Sequence, residues 1–360
     1  MKATSALHEL GQSIWLDNIT RGLLREGTLG RYIADLSVSG LTSNPTIFDK
    51  AIRDSGFYDE AIGRKAAAGL SGEELFFELA LEDLTEAADL FRPIYEASGG
   101  KDGWVSLEVS PLLAADAAAT IKSARELHAR AHRPNLFIKI PGTPEGLAAI
   151  EETIFAGVPV NVTLLFSREQ YLGAAEAYMR GIERRIAAGL DPGPRSVASV
   201  FVSRWDVAVK DELPSELRNR LGIAVAASCH EAYRALLASE RWRGLEAAGA
   251  APQRLLWAST GTKDPGASDS LYVEALALPE TIDTIPEKTL LAFAEHGRLG
   301  KGLDYSDAKA TLRDVERAGV DVATLAQRLQ REGAQSFADS WRDLLACIRS
   351  KTPASAGGRS

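Results

Sequence analysis

Short apolar runs alternate along this chain with longer stretches in which apolar residues recur every third or fourth position. In order, the runs are SIWLDN, VSGLTSN, WVSLEVS, LFIKIPG, VPVNVTLLFS, SVASVFVSR and RLLWAST, with an eighth around TIDTIPEKT. Helical patterns such as SGEELFFELALEDLTEAADLF and PLLAADAAATIKSARELHARA fill most of the gaps. Such alternation predicts βαβ units and a parallel sheet. Two helix starts are signed in the sequence. Thr143 before Pro144 reads as an N-cap with proline at the first helical position, and Ser167 with Gln170 reads as a capping box. Near the C-terminus, Val322, Leu325, Leu329, Phe337, Trp341, Leu344 and Ile348 mark one buried helical stripe, with Gly333 on the same face.

About eight strand–helix units suit a (β/α)8 barrel of the TIM type, typically ~250 residues plus insertions. The expected architecture is therefore α/β, a barrel with additional N- and C-terminal helices. One domain is expected over residues 1–350. The last stretch, 351–360, is small, polar and rich in Gly and Ser, and reads as a loose tail. A doubly wound open sheet is the alternative, but no GxGxxG follows the first strand to support it.

Strands buried on both faces normally read as unbroken Val, Ile and Leu. Here several break that rule with period two. In WVSLEVS, Ser106, Glu108 and Ser110 oppose Val105, Leu107 and Val109; in LFIKIPG, Phe137 and Lys139 oppose Leu136, Ile138 and Ile140. Asn161 and Thr163 oppose Val160, Val162 and Leu164, while Asp17, Thr42, Asn44 and Ser199 each alternate with an apolar neighbour. Period two puts each polar set on one face. If the apolar sets pack under the helices, Lys139, Glu108 and Asp17 converge inside the barrel near the C-terminal strand ends, where barrel enzymes keep their active sites. Taken singly, each has a plainer reading: a lysine guarding a strand edge, an aspartate in a turn, a glutamate in a structural ion pair. Their coincidence on matching faces of three strands favours a site, because uncompensated charge in a barrel core is costly.

Composition narrows the chemistry. Hydrophobic residues make up 45% and charged residues 25% of the chain, the balance of a globular protein with a sizeable core. A net charge of -8 argues against nucleic acid as the main partner. The two cysteines, Cys229 and Cys347, form neither a disulfide framework nor a CxxC pair, which fits a reducing cytoplasm. The first residues, MKATSALHELGQSIW, carry no apolar run of a signal peptide, and no segment has the length of apolar sequence that a membrane helix needs.

A lysine among carboxylates in an apolar strand suits covalent catalysis on a carbonyl. The attacking amine must be neutral; burial favours that form and nearby carboxylates oppose it. The resulting iminium serves as electron sink, so neither a metal nor another cofactor is required. The five histidines, His8, His128, His132, His230 and His296, fall on no predicted strand and show no HxH or HExxH spacing. A magnesium-assisted lyase built on two carboxylates remains a rival. Glycoside hydrolysis leaves Lys139 without a role, and a non-catalytic sugar-phosphate-binding barrel is the third alternative.

At these residues the sequence resembles the transaldolases, in their longer bacterial form, over roughly residues 12 to 349. The segments LTSNPTIF, WVSLEVSP, NLFIKIPGT, VNVTLLFS, SVFVSRWD and IDTIPEKTLLAFAEHG carry the resemblance together. It implies the barrel independently, and transfer of a dihydroxyacetone unit from sedoheptulose 7-phosphate or fructose 6-phosphate to an aldose phosphate. Matched by motif, Lys139 is the Schiff-base lysine and Asp17 the acid/base at the hydroxyl beside the scissile bond. Glu108 is matched to the carboxylate acting through a water, and Thr163 to the residue that helps hold that water. Asn44 and Asn161 match side chains that orient the three-carbon unit, with Thr42 and Ser106 lining the same pocket. Ser199 and Arg204 match part of the phosphate site.

The chain departs from the family pattern at one place. Many relatives carry a second Arg just after the seventh strand, where this chain reads WASTGTKDP, leaving Ser259 and Lys263 as substitutes. The similar fructose-6-phosphate aldolases carry Gln at the position of Glu108 and Tyr at that of Phe201, so Glu108 and Phe201 favour transfer. The implied partners are sugar phosphates, with neither nucleic acid nor membrane, acting on a cytoplasmic monomer or homodimer.

Overall fold

The computed structural model describes residues 2–352. Eight parallel strands form one sheet: β1 (Ser13–Leu16), β2 (Val38–Leu41), β3 (Val105–Glu108), β4 (Leu136–Pro141), β5 (Val160–Leu165), β6 (Ser196–Phe201), β7 (Arg254–Ala258) and β8 (Ile282–Ile285). Their order is β2-β1-β8-β7-β6-β5-β4-β3. The two ends of that row meet where Leu41 N–H donates to Trp104 C=O and Gly103 N–H to Ser39 C=O, each at 2.9 Å. The sheet therefore closes into a (β/α)8 barrel, and every expected strand, including the eighth, is present.

The closing seam is irregular because side chains do much of the stitching. Asp102 accepts from Trp15 Nε1 at 2.7 Å and from Ser39 Oγ at 2.8 Å. At Gly40 the two chains come so close that a Cβ would lie 2.7 Å from both Trp104 O and Trp15 Nε1. Only glycine fits there.

Contacts between strands that are not neighbours identify the interior face. Trp15 of β1 lies 6.1 Å from Phe137 of β4, and Phe137 stacks on Trp104 at 4.0 Å. Lower still, Arg254 of β7 donates to Lys101 O, Ser13 Oγ and Thr281 O and plugs the N-terminal end. One step up, Asn161 Nδ2 donates to Ser106 Oγ at 3.1 Å and Asn161 Oδ1 accepts from Ser199 Oγ at 2.7 Å. The floor of the barrel is aromatic and its upper layers are polar, as the alternation in the strands requires.

An N-terminal helix (Ala3–Glu9) precedes β1, and the long C-terminal helix runs from Val322 to Lys351. Of the expected stripe, Leu325, Leu329, Gly333, Phe337, Trp341, Leu344 and Ile348 are buried, whereas Val322 at the start of the helix is only half-buried; the buried face lies across the C-terminal mouth of the barrel. The helix extends one residue into the stretch read as a tail, and residues 353–360 of that stretch lie outside the described residues. Ser167 accepts from Gln170 N–H at 3.2 Å, but the returning Gln170 Oε1 takes the N–H of Phe166 rather than that of Ser167. After β4 the regular helix opens at Gly146, later than the Thr143–Pro144 signal suggests. Thr143 Oγ1 still accepts from Gly146 N–H at 3.2 Å. A Cβ on Gly146 would stand 2.0 Å from Pro141 O, so the helix begins where the chain can pass its own strand.

The loop after β1 is anchored from outside the barrel. Arg21 Nε lies 2.8 Å from Asp83 Oδ1, Asp83 Oδ2 accepts from Tyr58 Oη at 2.8 Å, and Tyr58 Oη accepts from Arg21 N–H at 2.9 Å. Both charged side chains are buried. Removing one partner strands the other in low dielectric, so Arg21→Ala is expected to cost about 3–5 kcal/mol of stability. A urea unfolding midpoint unchanged from wild type would contradict this.

Candidate functional site

A cavity of about 340 Å³ opens at the C-terminal ends of the strands. Ten of the thirteen residues singled out from the sequence line it: Asp17, Thr42, Asn44, Lys139, Thr163, Ser199, Phe201, Arg204, Ser259 and Lys263. The other three, Ser106, Glu108 and Asn161, are buried on the same interior face beside Lys139 and Phe137 of β4.

Register explains the convergence. Glu108 of β3 pairs with Lys139 of β4, Lys139 with Asn161 of β5, and Pro141 with Thr163. Lys139 Nζ thus stands 3.5 Å from Glu108 Oε2 and donates to Ser43 O at 3.1 Å. From above, Phe337 of the C-terminal helix presents its ring 5.5 Å from Nζ. Both oxygens of Glu108 and the hydroxyl of Thr163 are buried without a hydrogen-bond partner among the described residues. Burial pushes the Glu108 carboxyl up to about 6, with the Lys139 charge opposing that rise and Asp17 adding to it. The carboxyl can therefore take and give a proton near neutral pH.

Asp17 closes the opposite side. Thr42 Oγ1 donates to Asp17 Oδ1 at 3.0 Å and itself lies 2.6 Å from Thr284 Oγ1. Burial raises the Asp17 carboxyl above its ordinary value, and the charge of Lys139, the Thr42 bond and Lys263 hold it back. Asn44 has two duties. Its Oδ1 accepts from Ile47 N–H at 3.0 Å, capping the helix Pro45–Arg53, which leaves its amide nitrogen for the cavity.

The outer wall is cationic. Arg204 sits 5.3 Å from the Phe201 ring, and burial lowers its pKa with Glu332 as the compensating charge. Lys263 is exposed at the rim, reaching within 3.7 Å of where a Gly261 Cβ would be. Ser259 has φ +57°, a conformation that side-chain-bearing residues rarely adopt, and its Oγ lies 3.0 Å from Ser203 Oγ.

The sequence reading missed Thr284, Lys50 and Phe337, all of which line the cavity. Thr284 alternates with Ile285 and was open to the period-two argument. Lys50 and Phe337 lie on helices, where a lone cation reads as solvated and an aromatic on an apolar stripe reads as core.

A parallel barrel with a buried lysine–carboxylate pair at its strand ends has the frame of an enzyme that works through a lysine nucleophile. The comparisons narrow that class. A family described as Transaldolase/Fructose-6-phosphate aldolase matches residues 14–348. A transaldolase of Parafrankia sp. is 45% identical over 359 residues, covering 97% of each chain. One from Thiobacillus denitrificans is 43% identical across 97% of this chain and 100% of its own, and transaldolase 1 of Streptomyces coelicolor is 43% identical across 96% and 94%. The chain belongs to the transaldolase/fructose-6-phosphate aldolase family.

Behind the site, on the outer face of β8, lies a carboxyl that the sequence reading did not single out. Asp283 is fully buried, accepts from Thr260 Oγ1 at 2.8 Å, and is pushed by burial up to about 8. Unfolding restores its ordinary value of 3.8. Between those two values the folded chain keeps the proton and the unfolded chain releases it, so this group lowers stability as pH rises across that window. Asp283→Asn is expected to flatten the decline, with its advantage in melting temperature over wild type growing from pH 4 to pH 8. An advantage that does not change with pH would contradict the assignment.

Proposed function

We propose that this chain is a transaldolase in which Lys139 attacks the ketone of fructose 6-phosphate or sedoheptulose 7-phosphate. The nitrogen bonds to the carbonyl carbon, and the carbinolamine loses its hydroxyl as water with a proton supplied through Glu108. Thr163 helps hold the water that carries this proton. Asp17 then takes the proton of the hydroxyl on the far carbon of the scissile bond. The carbon–carbon bond breaks, its electrons run into the iminium, and an aldose phosphate departs. A three-carbon enamine stays on Lys139 until its carbon adds to the aldehyde of glyceraldehyde 3-phosphate or erythrose 4-phosphate, with Asp17 returning the proton to the new hydroxyl. Water then adds to the resulting iminium, the C–N bond breaks, and the ketose phosphate leaves free Lys139. The kinetics are ping-pong. The reaction belongs to the non-oxidative pentose phosphate pathway.

The observation that carries this reading is the buried Lys139–Glu108 pair at 3.5 Å, at the base of a cavity whose rim bears Arg204 and Lys263. Asn44 and Asn161, with Thr42 and Ser106, orient the three-carbon unit. Ser199, Arg204, Ser259 and Lys263 hold the phosphate, and Arg suits this because its planar fork grips phosphate oxygens. Phe201 stacks near that arginine without offering a hydroxyl, which suits transfer over simple cleavage. The enzyme acts in the cytoplasm as a monomer or homodimer, a compartment suited to two free, buried cysteines.

Mixing the protein with fructose 6-phosphate and borohydride is expected to leave a reduced three-carbon adduct on the peptide containing Lys139; no adduct, or one on another lysine, overturns the reading. Activity is expected to survive a metal chelator. Loss restored by added metal would instead favour a metal-assisted lyase.

Two substitutions separate the roles. Glu108→Gln is expected to lower kcat by about 10²-fold or more, the scale of general acid–base catalysis, and to remove any pH limb near 6. Arg204→Ala is expected to raise KM for phosphorylated donors by roughly 10-fold or more, as for loss of a charge-assisted contact. An Arg204→Ala enzyme with unchanged KM would remove it from the phosphate site.

A further inference from the structure

The geometry points to Gln330, on the C-terminal helix, as a positioning residue that holds the Thr163 segment of β5 in its working conformation; this rests on the Schiff-base reading above. In β5 the pairing with β4 runs in register as far as Thr163 opposite Pro141, whereas the pairing with β6 slips between Val162 and Leu165. The slip is absorbed at Leu164, whose φ is +59°. A leucine takes that left-handed conformation only where its surroundings hold it there.

Gln330 supplies the hold. Its Nε2 donates to Leu164 O and to Gly142 O, each at 3.0 Å. Gly142 N–H in turn donates to Thr163 O at 2.7 Å. One buried amide thus spans the ends of β4 and β5 and fixes the peptides on either side of the bulge. One turn later, Gly333 allows Leu164 to seat against the helix, since a Cβ there would meet Leu164 Cδ2 at 2.9 Å.

Thr163 is the residue this arrangement aims. Its buried hydroxyl has no hydrogen-bond partner among the described residues, and the residue lines the cavity with Lys139. Relaxation of Leu164 to negative φ would turn the preceding peptide and, with it, the side-chain direction set by the bulge. Gln330 does not line the cavity itself, so its loss is expected in the chemical step rather than in sugar binding.

The test compares Gln330→Met, of similar length but without donors, with Gln330→Glu in the full-length enzyme. Gln330→Met is expected to remain folded and to lose about 10- to 100-fold in kcat, the scale of a misplacement near 1 Å, while KM for the ketose phosphate stays within about 2-fold. In the Gln330→Glu variant the introduced carboxyl can donate one hydrogen bond when protonated and none when ionised. Activity of Gln330→Glu relative to wild type is therefore expected to rise as pH falls, a trend absent from Gln330→Met. Wild-type kcat in Gln330→Met overturns the proposal, as does a parallel loss of stability and KM in both variants with no pH trend in their ratio. A wild-type enzyme that traps no adduct on Lys139 overturns the underlying reading as well, whereas equal trapping rates in wild type and Gln330→Met overturn only this proposal.

Discussion

Lys139 and Glu108 face each other from paired positions on neighbouring strands, 3.5 Å apart and almost wholly out of water. Neither charge is tolerable alone in a barrel core, and together they still lack the full set of hydrogen bonds that would make them a settled structural pair. Register is what brings them together. In a parallel ladder a one-residue slip would turn one of the two toward the helix layer, so the barrel's shear and the chemistry of its mouth are set by the same hydrogen bonds.

The rest of the interior is graded around that pair. Stacked aromatics and Arg254 seal the lower end, and the Ser199–Asn161–Ser106 chain forms a hydrogen-bonded polar shelf beside the lysine. Above it, every strand end offers something that can meet a hydroxyl, a carbonyl or a phosphate. Raised carboxyls at Asp17 and Glu108 follow from burial; the charge of Lys139 opposes the rise at both, and at Asp17 the Thr42 hydrogen bond and Lys263 oppose it further.

The C-terminal helix completes the mouth. Gln330, Gly333 and Phe337 occupy successive turns of one buried face, touching the β4–β5 ends, Leu164 and Lys139 respectively. Two residues with side chains held at positive φ, Leu164 and Ser259, lie at the C-terminal ends of β5 and β7. Strain of this kind is sustained only by over-determined surroundings, which the helix provides for Leu164 and the Ser203–Ser259 contact for the other.

Much of this was legible in the chain. Period-two alternation separated interior from exterior for Lys139, Glu108, Asp17, Asn161 and Thr163, because in a strand the side-chain face is a local property of the backbone. The apolar stripe on the C-terminal helix was equally local. Where that helix lies was not: nothing in its own sequence says that Phe337 covers Lys139, or that the one polar residue on its buried face, Gln330, meets two strand ends 188 and 166 positions away. The same holds for Lys50, and for Asp283, whose raised pKa comes from being enclosed by other elements. A few residues of sequence determine which face of its own strand or helix a side chain occupies. Which face packs on which, and therefore how dry and how strained a position becomes, is decided only when the barrel closes and the last helix settles across it.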